Sequence, residues 1–389
     1  MQNVLQFPDR ARGFVPQRLA EARAARQMSR AELARDLGLT GQAIGYYETG
    51  ERRPDMDILL RISAILEQPV SFFLRAAPSI DGIKGVRYFR SVGPKSNKLN
   101  YALDIKTKWL WELVQYLQNF VRFPQPNLPP FVDGPASGFY TLQEIEEIAT
   151  RLRRHWSMGD GPIANMVALL ETNGVIVSRL ELGTDSVDAF SCWIDGRPYI
   201  LLGSDKGSCA RSRFDAAHEL GHLLLHRDIS EEDLENKQTR DRIEAEANLF
   251  AGAFLLPRTS MLTEFYSTRM THLVGLKRRW KVSMQAIAHR CRAIGAIDET
   301  QYILFRKQMS ASKMLKKEPL DGEEMPLEQP GILLKSWRML LEKNIVQEVG
   351  IENEVGFSLE NIQRLCGQLP SLSAQPPTGK PMIKRIHSE

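Results

Sequence analysis

The stretch Phe214-Asp-Ala-Ala-His-Glu-Leu-Gly-His-Leu-Leu-Leu-His226 decides the reading of this chain. Its alanines and leucines predict a helix starting near Ser212, whose spacing to Asp215 resembles a cap pair. On such a helix His218 and His222 stand one turn apart on one face, so both imidazoles can reach a single metal ion. Glu219, one residue on, is placed for a general base and not for a ligand. Histidine is scarce, 7 of 389 residues, which makes the spacing informative. His226 continues the series but lies too far along a straight helix to share the ion, so it is read as structural. Two blander alternatives remain open: a buried helix with two satisfied histidines, or a metal held without catalysis.

A catalytic zinc keeps three protein ligands and one open position, so the third ligand must come from elsewhere. The segment Ile243-Glu-Ala-Glu-Ala-Asn-Leu-Phe-Ala offers Glu244 and Glu246. They differ by about 200° around a helix, so only one can face the ion. Glu244 lies four residues before Asn248 on one face, where the amide can hydrogen-bond a liganding imidazole. Glu244 is therefore the expected ligand, with Glu246 as the fallback. Ahead of the motif, helices are predicted from Thr141 to about Trp156 and from about Pro162 to Glu171. Gly174-Val-Ile-Val-Ser-Arg-Leu, Ala189-Phe-Ser-Cys-Trp-Ile and Pro198-Tyr-Ile-Leu-Leu then predict strands, with Asp195-Gly196 as a hairpin turn. This part of the chain is α+β with a small sheet.

Residues 16–75 predict five short helices. Ser29-Arg-Ala-Glu32 is a capping box opening a helix that stops at Gly38. Thr40 caps a second that ends near Gly50, and Pro54 and Asp55 introduce a third bearing Ile58, Leu59, Ile62 and Leu66 at helical spacing. Residues 76–100 look like a connection, a helix covers about Ile105 to Phe120, and the proline-rich run from Phe123 to Pro130 marks a boundary. Leu273 to Arg290 reads as two helices around a cap at Ser283, shaped like a second helix-turn-helix. Its basic run, Lys277 to Lys281, is either a solvated helix face or a phosphate contact. His272 and His289 read as surface or core histidines. Residues 310–389 carry little signal, and 369–389 read as a disordered tail. The resulting divisions are 14–75, 76–135, 136–260, 261–368 and 369–389.

The composition, 43% hydrophobic and 25% charged, suits packed cores. A formal net charge of +4 is mildly basic and compatible with nucleic acid. The first residues hold no signal-peptide pattern, and no window approaches the roughly 18 apolar residues of a membrane helix. Cys192, Cys209, Cys291 and Cys366 are far apart and read as free thiols. A cytoplasmic protein without a membrane partner is expected.

His-Glu-Leu-Gly-His-Leu-Leu-Leu-His and Glu-Ala-Glu-Ala-Asn-Leu-Phe-Ala-Gly-Ala-Phe-Leu-Leu-Pro resemble the ImmA/IrrE family of metallopeptidases over about Thr141 to Pro257. That family's pattern, Glu-x-x-Ala-Asn/Asp-x-Phe-Ala, points separately to Glu244. The family often has Met where this chain has Leu256, a conservative departure. The resemblance implies a zinc-dependent, zincin-like endopeptidase that cleaves a phage-type or stress-response repressor. Leu19, Arg23, Ser29, Glu32-Leu33-Ala34, Gly38, Ile44, Glu48, Gly50 and Pro54 resemble the XRE-type helix-turn-helix of phage repressors over about Gln17 to Leu74. In that likeness the helix after Thr40 reads the major groove. Gln42 would pair with adenine and Tyr46 would contact a base or phosphate one turn later. Thr40 and Arg53 would hold phosphates, while Arg23 and Glu48 would tie two helices together. Gly41 and Gly45 offer no side chain to a base, so specificity would be either thin or helped by DNA shape.

The expectation is a multidomain α and α+β chain: an all-α five-helix helix-turn-helix domain, an α+β zincin-like domain, and a mostly helical C-terminal region. Its partners would be operator DNA, read by a homodimer on a palindrome, and a repressor-type protein substrate. The alternatives are a transcriptional regulator whose metal domain is structural or sensory, and an antitoxin-like partner-binding protein.

Overall fold

The computed structural model describes residues 13–78, 97–129, 139–181, 188–204, 207–227, 229, 231–322, 324–347 and 350–367. The expected connection 76–100 falls largely on 79–96, and the expected tail on 369–389, both outside the described residues.

The N-terminal unit is helical: α1 (Pro16–Ala25), α2 (Arg30–Leu37), α3 (Gly41–Thr49), α4 (Met56–Leu66) and a single turn, α5 (Val70–Phe73). Local chemistry sets these ends. The Ser29–Glu32 capping box is formed at α2, Gly38 ends it with a left-handed φ of 68°, and Thr40 and Asp55 accept backbone N–H groups at the starts of α3 and α4. Leu19, Leu33, Leu37, Ile44, Leu59 and Ile62 close the core between them.

The next helix, α6 (Asn97–Gln118), starts well before the expected Ile105, because Leu99, Ala102 and Leu103 extend its apolar stripe upstream. It docks on α1 through buried charges. Arg18 donates to both Glu112 oxygens at 3.0 and 2.7 Å and to Glu21 at 2.9 Å, and Lys108 donates to Glu21 at 2.5 Å. Such a network adds little net stability over an apolar contact, but it leaves one register in which every charge is paired.

The central part runs α7 (Leu142–His155), α8 (Met166–Thr172), β1 (Ile176–Leu180), β2 (Ala189–Ile194), β3 (Arg197–Gly203), α9 (Cys209–Leu225), α10 (Glu231–Glu235) and α11 (Lys237–Leu255). The sheet order is β1-β3-β2, with β1 parallel and β2 antiparallel to β3. Asp195 and Gly196 turn β2 into β3 with φ of 49° and 74°, the left-handed pair a two-residue hairpin requires. Alternate strand residues face opposite ways. Val177, Ala189, Trp193, Ile200 and Leu202 pack with α7, α9 and α11, whereas Ile176, Phe190, Tyr199 and Leu201 join the core that holds α1 to α6. The proline-rich segment lies against this unit: Asn127 N donates to Asn173 O at 2.9 Å and Trp156 Nε1 donates to Asn127 O at 2.8 Å. Gly174, at φ 82°, lies so close to it that a Cβ would stand 2.3 Å from the Gln125 carbonyl oxygen.

Further on come α12 (Arg258–Glu264), α13 (Met270–Trp280), α14 (Met284–Ala293), α15 (Glu299–Ala311), α16 (Ile332–Glu342), α17 (Ile351–Val355) and α18 (Leu359–Cys366). Ser283 caps α14 as expected. Arg278 and Arg279 of the basic run are exposed, as a solvated helix face requires, but Lys277 departs from both readings: it is fully buried and donates to Glu318 at 3.0 Å and Asp321 at 2.8 Å. A lone buried ammonium is too costly to persist, and these two carboxylates lie far downstream in the chain. Helices α16 to α18 cover the second face of the sheet and reach the N-terminal unit. Ser178 Oγ donates to Leu365 O at 2.6 Å, and Asn361 Nδ2 donates to Glu67 O at 3.2 Å. Among the described residues, no helix is long and apolar enough to cross a membrane.

Candidate metal centre and nucleic-acid interface

Helix α9 begins at Cys209, capped by Ser208, whose Oγ accepts from Arg211 N at 3.3 Å. The expected start near Ser212 is thus one turn late, and the Ser212 hydroxyl instead accepts from Arg179 at 3.1 Å. The helix is wedged between the sheet and α11, and Gly221 permits the approach: a Cβ there would stand 3.0 Å from the Phe250 ring and 3.3 Å from the Ala247 backbone.

Across this seam His218, His222 and Glu244 converge, with one candidate ligand atom from each lying within 4.8 Å of the others. His218 Nε2 lies 3.4 Å and His222 Nε2 3.6 Å from the Glu244 carboxylate, and the two Nε2 atoms are 2.9 Å apart. The far nitrogens fix the tautomers. His218 Nδ1 is 3.1 Å from Asn248 Oδ1, an acceptor, so the ring proton sits on Nδ1 and the Nε2 lone pair points inward. His222 Nδ1 is 3.0 Å from His226 Nδ1, and His226 Nε2 is 2.9 Å from Glu246 Oε2. Glu246 accepts, so His226 is protonated on Nε2 and accepts at Nδ1 from His222. That leaves the second Nε2 lone pair pointing inward as well. Two lone pairs and a carboxylate facing one point repel unless a cation lies between them. Two imidazoles and a carboxylate, with further coordination left open, are a donor set that suits zinc.

The electrostatics agree. Burial holds His222 down to about 3, so its ring is neutral. Burial pushes Glu219 up to about 7, opposed by His218 and by the Ser191 hydroxyl, which donates to Glu219 Oε2 at 2.7 Å.

The structure therefore brings His218, Glu219, His222, Glu244 and Asn248 together. The fallback ligand Glu246 is not part of the ligand cluster: its carboxylate holds His226 and accepts from Tyr140 N at 3.1 Å. Sequence reasoning missed this partnership and also missed Ser191. The continued i, i+4 spacing of His226 and the second carboxylate were the available signals for the first, whereas Ser191 left none.

At the other end, Thr40 and Gln42 are exposed at the start of α3. The Thr40 hydroxyl accepts from Ala43 N at 3.2 Å, and Gln42 Nε2 donates to the Tyr46 hydroxyl at 2.6 Å. Arg52 lies over the Tyr46 ring at 5.0 Å, and Arg53 is exposed just past the helix. Arg23 grips Glu48 at 2.6 and 3.1 Å, and Arg30, not singled out beforehand, adds a contact at 2.6 Å. This clamp ties α1 and α2 to α3.

A helix-turn-helix unit and a buried His-Glu-x-x-His helix in one chain define a regulator with a peptidase-like domain. A family model for the helix-turn-helix matches residues 19–73, and the peptidase M78 model, described as the IrrE N-terminal-like domain, matches residues 170–292. Two uncharacterized HTH-type transcriptional regulators, from Sinorhizobium medicae (strain WSM419) and Rhizobium meliloti (strain 1021), are each 34% identical over 104 residues, which is 26% of this chain and 68% of theirs. The chain belongs to the HTH-type transcriptional regulators and joins an XRE-type helix-turn-helix to an ImmA/IrrE-like peptidase domain.

Proposed function

We propose that this DNA-binding regulator is also a zinc-dependent endopeptidase that cleaves a repressor-type protein and so controls mobile-element or stress-response genes. The observation that carries the reading is the convergence of His218, His222 and Glu244 beside a Glu219 held in place by Ser191. His218 and His222, through Nε2, and the Glu244 carboxylate would hold zinc, which when bound supplies Lewis acidity to the scissile carbonyl and to water. Glu219 takes the proton of the attacking water. Ser191 aims that carboxylate, and Asn248 and His226 keep the two imidazoles in the tautomer that faces inward.

Residues 14–75 form the DNA-reading domain, 136–260 the peptidase, 76–135 the helical connection and 261–368 a helical C-terminal region. Helix α3 enters the major groove, where Gln42 reads adenine, Tyr46 contacts a base or phosphate, and Thr40 and Arg53 hold phosphates. A homodimer would match a palindromic operator. Docking beside the repressor on one operator raises the local concentration of substrate.

The test measures zinc per chain in wild type and Glu244→Ala, then cleavage and gel shift in Glu219→Gln. Near-stoichiometric zinc lost in Glu244→Ala, with cleavage abolished and operator binding kept in Glu219→Gln, is the expected pattern. Wild type purified without metal would sink the reading. The naming of both relatives as transcriptional regulators favours a second reading, in which the metal domain is non-catalytic. Metal-loaded wild type that represses but cleaves no candidate would select it.

A further inference from the structure

The side-chain rows that meet at the metal centre continue beyond it. On α9 the row His222–His218 runs on to Phe214, and on α11 the row Glu244–Asn248 runs on to Gly252. Glu244 faces both histidines and Asn248 faces His218, so the two helices are antiparallel along this seam. Helix α14 lines the far end, and the three helices form an open-sided cleft of about 200 Å³. Phe214 lies one helical turn, about 5.4 Å, from His218. An extended peptide advances about 3.4 Å per residue, so a side chain next to a bond at the metal centre reaches this cleft.

The lining sets the chemistry. Phe214, Leu249, Ala286 and Ala293 give apolar walls, Gly252 leaves the α11 side open, and the neutral polar groups are Asn248, held against His218, and His289 at the rim. The one permanent charge, Arg290, is already engaged: Glu146 takes both terminal nitrogens and the Leu256 carbonyl takes Nε at 2.9 Å. Among the described lining residues no unpaired permanent charge is left for a charged side chain, whose desolvation would go uncompensated. An apolar cavity of about 150 Å³ holds benzene, so this volume suits leucine, methionine or phenylalanine. Helix α14 is also poorly placed to read DNA. Gln285, near its start, is turned back onto the Leu315 carbonyl at 3.1 Å and Glu318 at 3.3 Å, and Ala286 and His289 line the cleft.

We propose that this cleft is a substrate subsite for a large apolar side chain beside the cleaved bond, and that α14 of the helix-turn-helix-like segment is its specificity wall. The proposal rests on the peptidase reading above.

Full-length, zinc-supplemented protein is incubated with a peptide library from a bacterial proteome, and the new termini are read by mass spectrometry. Synthetic peptide pairs carrying Phe or Ala at the enriched position then give kcat/KM ratios. The expected result is enrichment of Leu, Met and Phe at one position flanking the cut. Ala286→Trp, which fills the cleft, should lower the Phe-over-Ala ratio about tenfold or more. Ala293→Leu should lower it less and serves if the tryptophan variant does not fold. Wild-type cleavage without apolar enrichment, or an unchanged ratio in a variant that still cleaves, overturns the subsite. Absence of any wild-type cleavage removes the peptidase reading itself, and the subsite with it.

Discussion

Glu246→Gln tests whether a residue outside the ligand set governs metal affinity. Glu246 accepts twice, from His226 Nε2 at 2.9 Å and from Tyr140 N at 3.1 Å. Glutamine has one acceptor oxygen. If that oxygen serves Tyr140, its NH₂ group opposes the His226 N–H; if it serves His226, the NH₂ group opposes the Tyr140 N–H instead. Moving the His226 proton to Nδ1 relieves the first clash only by opposing the His222 Nδ1–H, 3.0 Å away. Every arrangement sets two buried donors face to face, and relieving the clash displaces the side chain that holds the His226 ring against His222. Partners of liganding histidines are typically worth about 10- to 100-fold in metal affinity, or about 1.4 to 2.7 kcal/mol. Zinc affinity is read by competition with a chromophoric chelator. Thermal unfolding of the metal-free proteins and a gel shift on operator DNA separate loss of the site from loss of the fold. A folded variant that binds zinc within twofold of wild type would refute the claim that both Glu246 acceptor oxygens are needed to hold the His226–His222 pair in place.

Gly174→Ala adds a Cβ 2.3 Å from the Gln125 carbonyl at a left-handed φ, so unfolding should be easier by about 2 kcal/mol or more, seen as a lower thermal midpoint. Glu112→Ala leaves Arg18 buried with Glu21 as its remaining carboxylate, and should cost about 3 kcal/mol in denaturant unfolding; a loss below 1 kcal/mol would mean that water already reaches the pair. All four cysteines are buried, and burial pushes Cys291 and Cys366 up to about 12. The thiolate is the nucleophile, so a higher value means less reaction. At pH 8 roughly one thiol in ten thousand at these two positions is ionised, and the native protein should react with a disulfide reagent far more slowly than the unfolded chain.

The site was legible wherever one helix carries the information. Four-residue spacing places His218 with His222 and Glu244 with Asn248, and the caps Ser29, Thr40 and Asp55 announce α2, α3 and α4. What could not be read depends on partners that only folding brings together. Ser191 reaches Glu219 because β2 lies beside α9, an adjacency no local pattern encodes. Lys277 reads as one of a solvated basic run until Glu318 and Asp321 fold over it. Residues 332–366 carry no chemical motif, and their role is visible only as the cover of a sheet face.

That cover has a consequence for how the chain can be divided. Leu19, Ile44 and Phe73 from the N-terminal helices share one continuous core with Leu113 of α6, Tyr199 and Leu201 of the sheet, and Trp337, Phe357 and Ile362 near the far end. Units that are separable in a sequence scan are thus not separable mechanically. Heat or denaturant should melt the DNA-reading helices and the sheet in a single cooperative event. Recombination that exchanged the DNA-reading helices for those of another regulator would have to carry α6 and residues 332–366 with them, or leave both partners with a bare apolar face.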